Sequence, residues 1–474
     1  MYSMAGTAFA AVAPVVPVLP HAYWTQERVA MALGTGPRST VPFGGVCTDT
    51  RQLQRGDLFV ALRGERFDAH DFLADARDRG ASAFVVSDAS KAVGLGVPVY
   101  VVSDTLVALG ALAAAWRNAW GRTVIGVAGS NGKTSTKELI KAALGSSLQV
   151  HATAGNFNNL VGVPLTLLAI PSHAEVAVIE IGTNTPGEVA TLRDIARPDV
   201  AVLTSIGEEH LEGLGDLAGV LREEAEVFHG ATLAIVPSVH PEALALARQR
   251  AARVRTAGLD AAADERPAEW GLDAEGRPWL VVDDVHCQLP LRGEHQAANA
   301  MLAFAVARAC GVAMDAAATG MSAMPVPHMR GVWQPMGDAV LINDAYNANP
   351  ASMRAALALL GRVGAGRQRV AILGSMRELG GASAQQHREV ARVALTSGAD
   401  VIAAVGDFAD AFASEAPDDP RVVATPEFDA LWPLLAPRLQ RDAVILLKAS
   451  RGMQLERLVP MITGWAIAAA HAAP

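Results

Sequence analysis

The segment Gly126-Val127-Ala128-Gly129-Ser130-Asn131-Gly132-Lys133-Thr134-Ser135 gathers three glycines, one lysine and three hydroxyl side chains within ten residues. It follows an apolar run and precedes a helical pattern, the setting in which a loop cradles a polyphosphate. Glycines let backbone amides turn inward, and the helix N-terminus adds positive potential. In this reading Gly129, Ser130, Asn131, Gly132, Lys133, Thr134 and Ser135 bind ATP. Lys133 reaches the β- and γ-phosphates, and the Thr134 hydroxyl takes Mg2+. The strict GxxxxGK spacing is not met, because Val127 stands at the first glycine position. The competing reading is a glycine-rich turn that merely precedes a lysine. It accounts less well for the strand–loop–helix context and the Gly132-Lys133-Thr134 ending.

Two carboxylate-bearing strand ends follow. Val176-Ala177-Val178-Ile179-Glu180 closes an apolar run on a charge, which is costly unless paired or metal-bound. Open parallel sheets bind ligands at the carboxyl ends of their strands, so Glu180 is a candidate Mg2+ ligand. Val200 to Thr204 runs into Glu208-Glu209-His210, where His210 is a candidate for the same metal or its waters. Glu208 and Glu209 read equally well as solvated acids.

Holding these groups together requires a parallel sheet, and the hydrophobic pattern supplies one. Val124–Ala128, Val176–Ile181, Val200–Thr204 and Leu233–Val236 are β-branched runs without alternation, as expected of strands buried on both faces. Residues 264–290, rich in charge, Gly and Pro, predict β-hairpin structure at the edge of this unit, followed by a helix from Gln296 to Arg308. Before it, strand-like pieces at Val46–Arg51, Asp57–Leu62, Ala83–Ser87 and Val99–Ser103, with a helix at His70–Arg79, predict a small α/β unit. Beyond Pro325-Val326-Pro327, read as a hinge, strands at 340–345, 369–373, 401–405 and 444–448 alternate with helices in the manner of a doubly wound sheet. The expected division is an extension over 1–20 and three α/β domains, at 21–121, 122–325 and 326–474.

Composition excludes several functions. A length of 474 residues exceeds one hydrophobic core, and a net charge of −9 has the wrong sign for a general nucleic-acid binder. Cys47, Cys287 and Cys310 are too far apart for a CxxC metal pair or a disulfide framework, which suits a reducing compartment. The apolar first twenty residues lack the positive start of a signal peptide, and Pro14, Pro17 and Pro20 interrupt them. Longer uncharged stretches are cut by Gly, Pro and Asn. A cytoplasmic chain that engages neither membrane nor nucleic acid is the expectation.

The motifs together resemble the central domain of the Mur ligases. They are Gly129–Ser135, Thr153-Ala154-Gly155-Asn156-Phe157-Asn158-Asn159, Glu180 with Asn184, Gly187 and Glu188, and His210-Leu211-Glu212-Gly213. Thr48-Asp49-Thr50-Arg51, Asp344-Ala345-Tyr346-Asn347-Ala348-Asn349-Pro350, Glu378-Leu379-Gly380 and Lys448-Ala449-Ser450-Arg451 extend the resemblance across residues 40–455. The resemblance implies a UDP-sugar-binding N-terminal domain, a central P-loop-type ATPase and a Rossmann-like C-terminal domain. It further implies ligation of D-Ala-D-Ala to UDP-N-acetylmuramoyl-tripeptide in peptidoglycan synthesis, driven by ATP through an acyl phosphate, by a monomeric enzyme. Lys133, Glu180 and His210 would carry catalysis, and Thr134, Glu180 and His210 would hold metal. Asn299 would contact adenine, Arg330 the γ-phosphate and Asp344 the ribose, while Thr50, Arg51, Asn156 and Asn347 would contact substrate. The competing readings are a related amide ligase with another acceptor and a nucleotide-binding regulator without turnover.

Four positions depart from the family pattern. Thr185 replaces a histidine, Gln296 follows His295 where a shorter amide is expected, and Ser375 replaces an aspartate. Glu224 stands where many family members carry a carbamylated lysine that bridges to a second Mg2+. No lysine occurs between Lys141 and Lys448. Glu224 restores a carboxylate on a shorter stem; the alternative is that Arg222-Glu223-Glu224-Ala225-Glu226 is a solvated helix face.

Overall fold

The computed structural model describes residues 23–64 and 67–471, so the extension expected over 1–20 lies outside the described residues. The chain is α/β, built on three mainly parallel sheets and one antiparallel meander.

In the N-terminal region β1 (Val46–Cys47), β2 (Leu58–Val60), β3 (Ala83–Val86) and β4 (Val99–Val101) pair in chain order, all parallel. The strand expected over Val46–Arg51 stops after two residues. The Asp49 carboxylate accepts the Arg51 amide and the Asp49 carbonyl accepts the Gln52 amide, so the chain turns there. The helix expected over His70–Arg79 is divided into a 3-10 turn, Ala69–Phe72, and an α-helix, Leu73–Asp78, with Asp68 capping the His70 amide.

The central sheet comprises β5 (Thr123–Ala128), β6 (Val150–Ala152), β7 (Val176–Glu180), β8 (Val200–Leu203), β9 (Leu233–Pro237) and β10 (Val254–Ala257). Its order is β10-β9-β8-β5-β7-β6, parallel throughout. Its unalternating apolar strands are explained by two covered faces. Val124 and Ala128 belong to one apolar cluster with Leu109, Leu112 and Trp116 of helix Thr105–Trp120. Ile125 and Val127 belong to another, with Met301 and Phe304 of helix Glu294–Ala309. Each fully buried residue of this kind contributes about 1.5–3 kcal/mol. The meander β11 (Glu269–Leu272), β12 (Pro278–Val282) and β13 (Val285–Gln288) occupies the region predicted to form hairpins.

The C-terminal sheet contains β14 (Val332–Met336), β15 (Ala339–Asn343), β16 (Arg369–Gly374), β17 (Val401–Val405), β18 (Val422–Thr425) and β19 (Val444–Lys448). They lie in the order β14-β15-β19-β16-β17-β18, with only β14 antiparallel to its neighbour. Two layers of apolar side chains cover its faces. The carboxyl ends of β5, β7 and β8 and those of β15 and β19 border one cleft.

Candidate active site

The loop after β5 admits only glycine at its turns. Gly129 has φ 119° and Gly132 φ 84°. A Cβ on Gly129 would lie 2.5 Å from the Thr204 hydroxyl, and one on Gly132 would lie 3.0 Å from Asn299 Oδ1. Gly132 leads directly into helix Lys133–Gly145, whose first turn lines a cleft of about 540 Å3. Ser130, Asn131, Gly132, Lys133, Thr134, Ser135, Asn156, Glu180, His210, Arg330, Asp344 and Asn347 all border this space. Ile342, Ala355, Leu359 and Leu446 form its apolar wall.

Lys133 folds back on its own loop. Its ammonium donates to the Gly129 carbonyl at 2.5 Å and to Glu209 Oε1 at 3.3 Å. Burial opposes that charge, but the carboxylates of Glu209, Glu224 and Glu180 outweigh it and hold the pKa above the ordinary lysine value. Glu209 is therefore no solvated acid: it is buried, and desolvation pushes its pKa up.

Thr134 and Glu180 meet as the strand-end argument requires. Thr134 Oγ1 donates to Glu180 Oε1 at 3.2 Å, and Asn158 Nδ2 donates to the same oxygen at 2.9 Å. Glu180 Oε2 is buried without a hydrogen-bond partner, with the Lys137 ammonium 3.8 Å away. An orphaned carboxylate oxygen beside a threonine hydroxyl fits Mg2+, a hard cation that keeps several positions for phosphate and water. Among the described residues no three His, Cys, Asp or Glu side chains form a cluster that could hold a metal ion on protein ligands alone.

His210 turns Nδ1 to Glu378 Oε2 at 2.5 Å, and its Nε2 lies 3.9 Å from Glu209 Oε2. Burial works against protonation of the ring, but Glu378 and Glu209 overcome it and raise its pKa. The C-terminal region brings Asp344, whose carboxylate accepts from Lys448 Nζ at 2.6 Å. Lys448 also donates to the Asn347 carbonyl at 3.0 Å. Arg330 places its guanidinium 4.2 Å from the centre of the Tyr346 ring. Asn349, which caps helix Pro350–Val363, donates across the cleft to Asn131 Oδ1 at 2.8 Å.

The acidic run 222–226 is not a solvated face. Glu224 is 0% exposed, and its Oε2 accepts the Gly129 amide at 2.6 Å. Its Oε1 has no partner, and burial pushes its pKa up to about 7. Glu223 accepts the Gly187 and Val189 amides at the start of helix Glu188–Ala196. One readable signal was present: Val220, Glu223 and Glu224 share the i, i+3, i+4 face of helix Leu217–Glu224, and all three are buried.

Other expected site residues sit elsewhere. Asn299 does not border the cleft; it is buried under Gly132 and donates to Gln296 Oε1 at 3.1 Å. Gln296 and His295 border the cleft in its place. Thr50 and Arg51 lie outside it, beyond the carboxyl end of β1, and the exposed Arg51 guanidinium pairs with Asp49 at 2.6 Å. At the remaining departures, the Thr185 amide donates to Glu188, and Ser375 Oγ accepts the Asp407 amide. Glu209, Asn158 and Glu378 were not anticipated as partners of the site, since nothing local to them signals the tertiary contact.

The chain is similar to known proteins in sequence and in fold. Models of the Mur ligase family catalytic domain, the Mur ligase middle domain and the Mur ligase glutamate ligase domain match residues 42–117, 127–307 and 330–451. The UDP-N-acetylmuramoyl-tripeptide–D-alanyl-D-alanine ligase of Bacillus subtilis is 36% identical over 423 residues, covering 88% of this chain and 92% of that protein. The Escherichia coli protein of the same name is 34% identical, over 88% of this chain and 93% of its own length. A crystal structure of MurF from Acinetobacter baumannii superposes with a TM-score of 0.85 at 30% identity, covering 93% of this chain and 99% of that one. MurF ligase from Thermotoga maritima, in complex with ADP, gives 0.80 at 25% identity, covering 90% and 98%. The chain belongs to the Mur ligase family.

Proposed function

We propose that this protein is an ATP-dependent ligase that joins D-Ala-D-Ala to UDP-N-acetylmuramoyl-tripeptide in the cytoplasmic synthesis of peptidoglycan precursors. The observation that carries the reading is one cleft in which Lys133, the Thr134–Glu180 pair and His210 face Asp344 and Asn347 from another sheet. The relatives named for this reaction, at 34–36% identity over most of the chain, support the choice of substrates.

Phosphoryl transfer needs positioning and charge neutralisation rather than covalent help from the protein. Lys133 releases the Gly129 carbonyl and binds the β- and γ-phosphates. The Thr134 hydroxyl and Glu180, with His210 toward the ion or its waters, would hold Mg2+, which would spread the charge developing on the γ-phosphoryl oxygens. The tripeptide carboxylate attacks the γ-phosphorus, releasing ADP and leaving an acyl phosphate. The D-Ala-D-Ala amine then attacks the acyl carbon, and phosphate departs as the tetrahedral intermediate collapses. Arg330 neutralises transferred charge, Asp344 takes the ribose, and the wall made by Ile342, Leu446 and Leu359 takes the base. Asn347 and Asn156 orient the peptides, while Thr50 and Arg51 engage the uridine diphosphate of a distant end. The working division remains 21–121 for the UDP-sugar, 122–325 for ATP and 326–474 for closure, in a monomer. Among the described residues no helix is long and apolar enough to cross a membrane.

ADP release measured with ATP and Mg2+ tests the reading. It is expected to need both the UDP-substrate and D-Ala-D-Ala for sustained turnover. ADP release indifferent to either would overturn it.

A further inference from the structure

The segment after β16 is pinned at consecutive residues. The Ser375 carbonyl accepts the Ser450 amide, the Met376 amide donates to His387 Nε2 at 2.9 Å, and the Arg377 amide donates to Ser450 Oγ at 2.9 Å. Glu378 follows at φ 66°, a left-handed conformation that residues with a Cβ rarely adopt. Across the domain interface His210 has φ 51°. Two non-glycine residues thus hold unfavourable backbones at the one point where they touch, and such outliers persist where surrounding structure enforces them.

The surroundings here do enforce them. The Glu212 amide donates to the Glu378 carbonyl at 3.2 Å. A Cβ on Gly380 would lie 3.1 Å from Glu212 Cα. Leu211 packs against the C-terminal core that includes Leu379. With the backbones seated, Glu378 Oε2 lies 2.5 Å from His210 Nδ1, and the line of polar groups continues through Glu209 to the Lys133 ammonium.

We propose that Glu378 is a positioning residue of the ligase reaction: its carboxylate holds the His210 ring so that Nε2 faces Glu209 and Lys133, and the C-terminal domain thereby completes the phosphate end of the active site. A bare surface ion pair would contribute little. This pair differs because both backbones are held in place, so the contact fixes which edge of the ring faces Glu378 and which faces the cleft. Glu378 itself touches no substrate. Its effect on rate rests on the ligase reading above, whereas its effect on the ring does not.

The test uses the full chain labelled with 15N-histidine, with His210 identified by the signal lost in His210→Gln. The Nδ1 signal is expected to stay close to its position in Glu378→Gln, which keeps the contact, and to move in Glu378→Ala, which frees the ring. In parallel, kcat for ADP formation is expected to fall about 10-fold or more in Glu378→Ala, the lower bound for loss of an outer partner. It should fall less in Glu378→Gln, with KM for the UDP-substrate changed less than about 2-fold in both. An unchanged Nδ1 signal in Glu378→Ala overturns the proposal. So does a kcat within about 2-fold of the unsubstituted enzyme, or a loss carried by KM alone. If the unsubstituted enzyme forms no product from the two organic substrates, the ligase reading fails instead, and the Nδ1 signal alone decides whether Glu378 positions the ring.

Discussion

Lys133 sits among the carboxylates of Glu209, Glu224 and Glu180, and in the loop it donates to the Gly129 carbonyl at 2.5 Å and the Ser130 carbonyl at 3.4 Å. An ammonium so placed is charged at neutral pH and free to exchange a backbone oxygen for phosphate. Lys133→Ala is expected to abolish turnover while far-UV circular dichroism and a cooperative melt are retained; near-normal ADP formation by the folded variant would contradict the assignment. Glu224 carries a second prediction. Carbamylation needs a neutral lysine amine, and the chain has no lysine between Lys141 and Lys448. Buffers stripped of bicarbonate should leave the rate unchanged. Glu224→Gln should slow ADP formation about 10-fold, because its carboxylate anchors Gly129 and faces Lys133. Rescue of a decarbonated enzyme by bicarbonate would oppose this account. The residues legible in the sequence were those whose signal is local: a lysine after spaced glycines, a carboxylate closing an apolar strand. Glu209 and Glu378 were not, because their partners lie 76 and 168 positions away in the chain.

Among the elements, the loop between β16 and helix Ser383–Thr396 depends on one neutral imidazole. His387 Nδ1 donates to the Ser383 carbonyl at 2.8 Å, and Nε2 accepts the Met376 amide at 2.9 Å. Burial lowers its pKa, against the pull of the Asp407 carboxylate 3.8 Å away and with a smaller push from Arg377. The unfolded chain therefore binds the proton more readily than the folded one. The resulting stability is complete above about pH 6.5 and is lost as pH falls through the lowered folded value. Tm should drop between pH 7.5 and pH 5.5, and His387→Gln should flatten that drop. An equal drop in both proteins would remove His387 as its cause. The elements that pattern alone revealed were the interior strands, such as β5, β7, β16 and β19. All four strands that went unanticipated in the two large sheets, β6, β10, β14 and β18, are sheet edges. An edge strand has one neighbour and part of its surface in solvent, so it lacks the continuous apolar run that marks an interior one. β14 even carries Pro335, which an interior strand would exclude.

At the scale of the molecule, the cleft exists only because two sheets present their carboxyl ends to each other. Asn131–Asn349 and His210–Glu378 tie the phosphate loop side to the C-terminal side. Arg330, stacked on Tyr346, lies at the start of the C-terminal sheet. Arg330→Ala should lower single-turnover ADP formation roughly 10–100-fold while binding of the UDP-substrate changes less than about 2-fold, since its contact strengthens as charge develops. Equal rates would place Arg330 outside the chemistry. The most direct test of the whole account follows one oxygen atom. With UDP-N-acetylmuramoyl-tripeptide labelled with 18O in its terminal carboxylate, ATP and D-Ala-D-Ala, mass spectrometry reads both products of a single reaction. The account predicts the UDP-muramoyl-pentapeptide together with inorganic phosphate carrying one 18O, transferred from the attacking carboxylate. Unlabelled phosphate, or ADP formed with no pentapeptide, would contradict it.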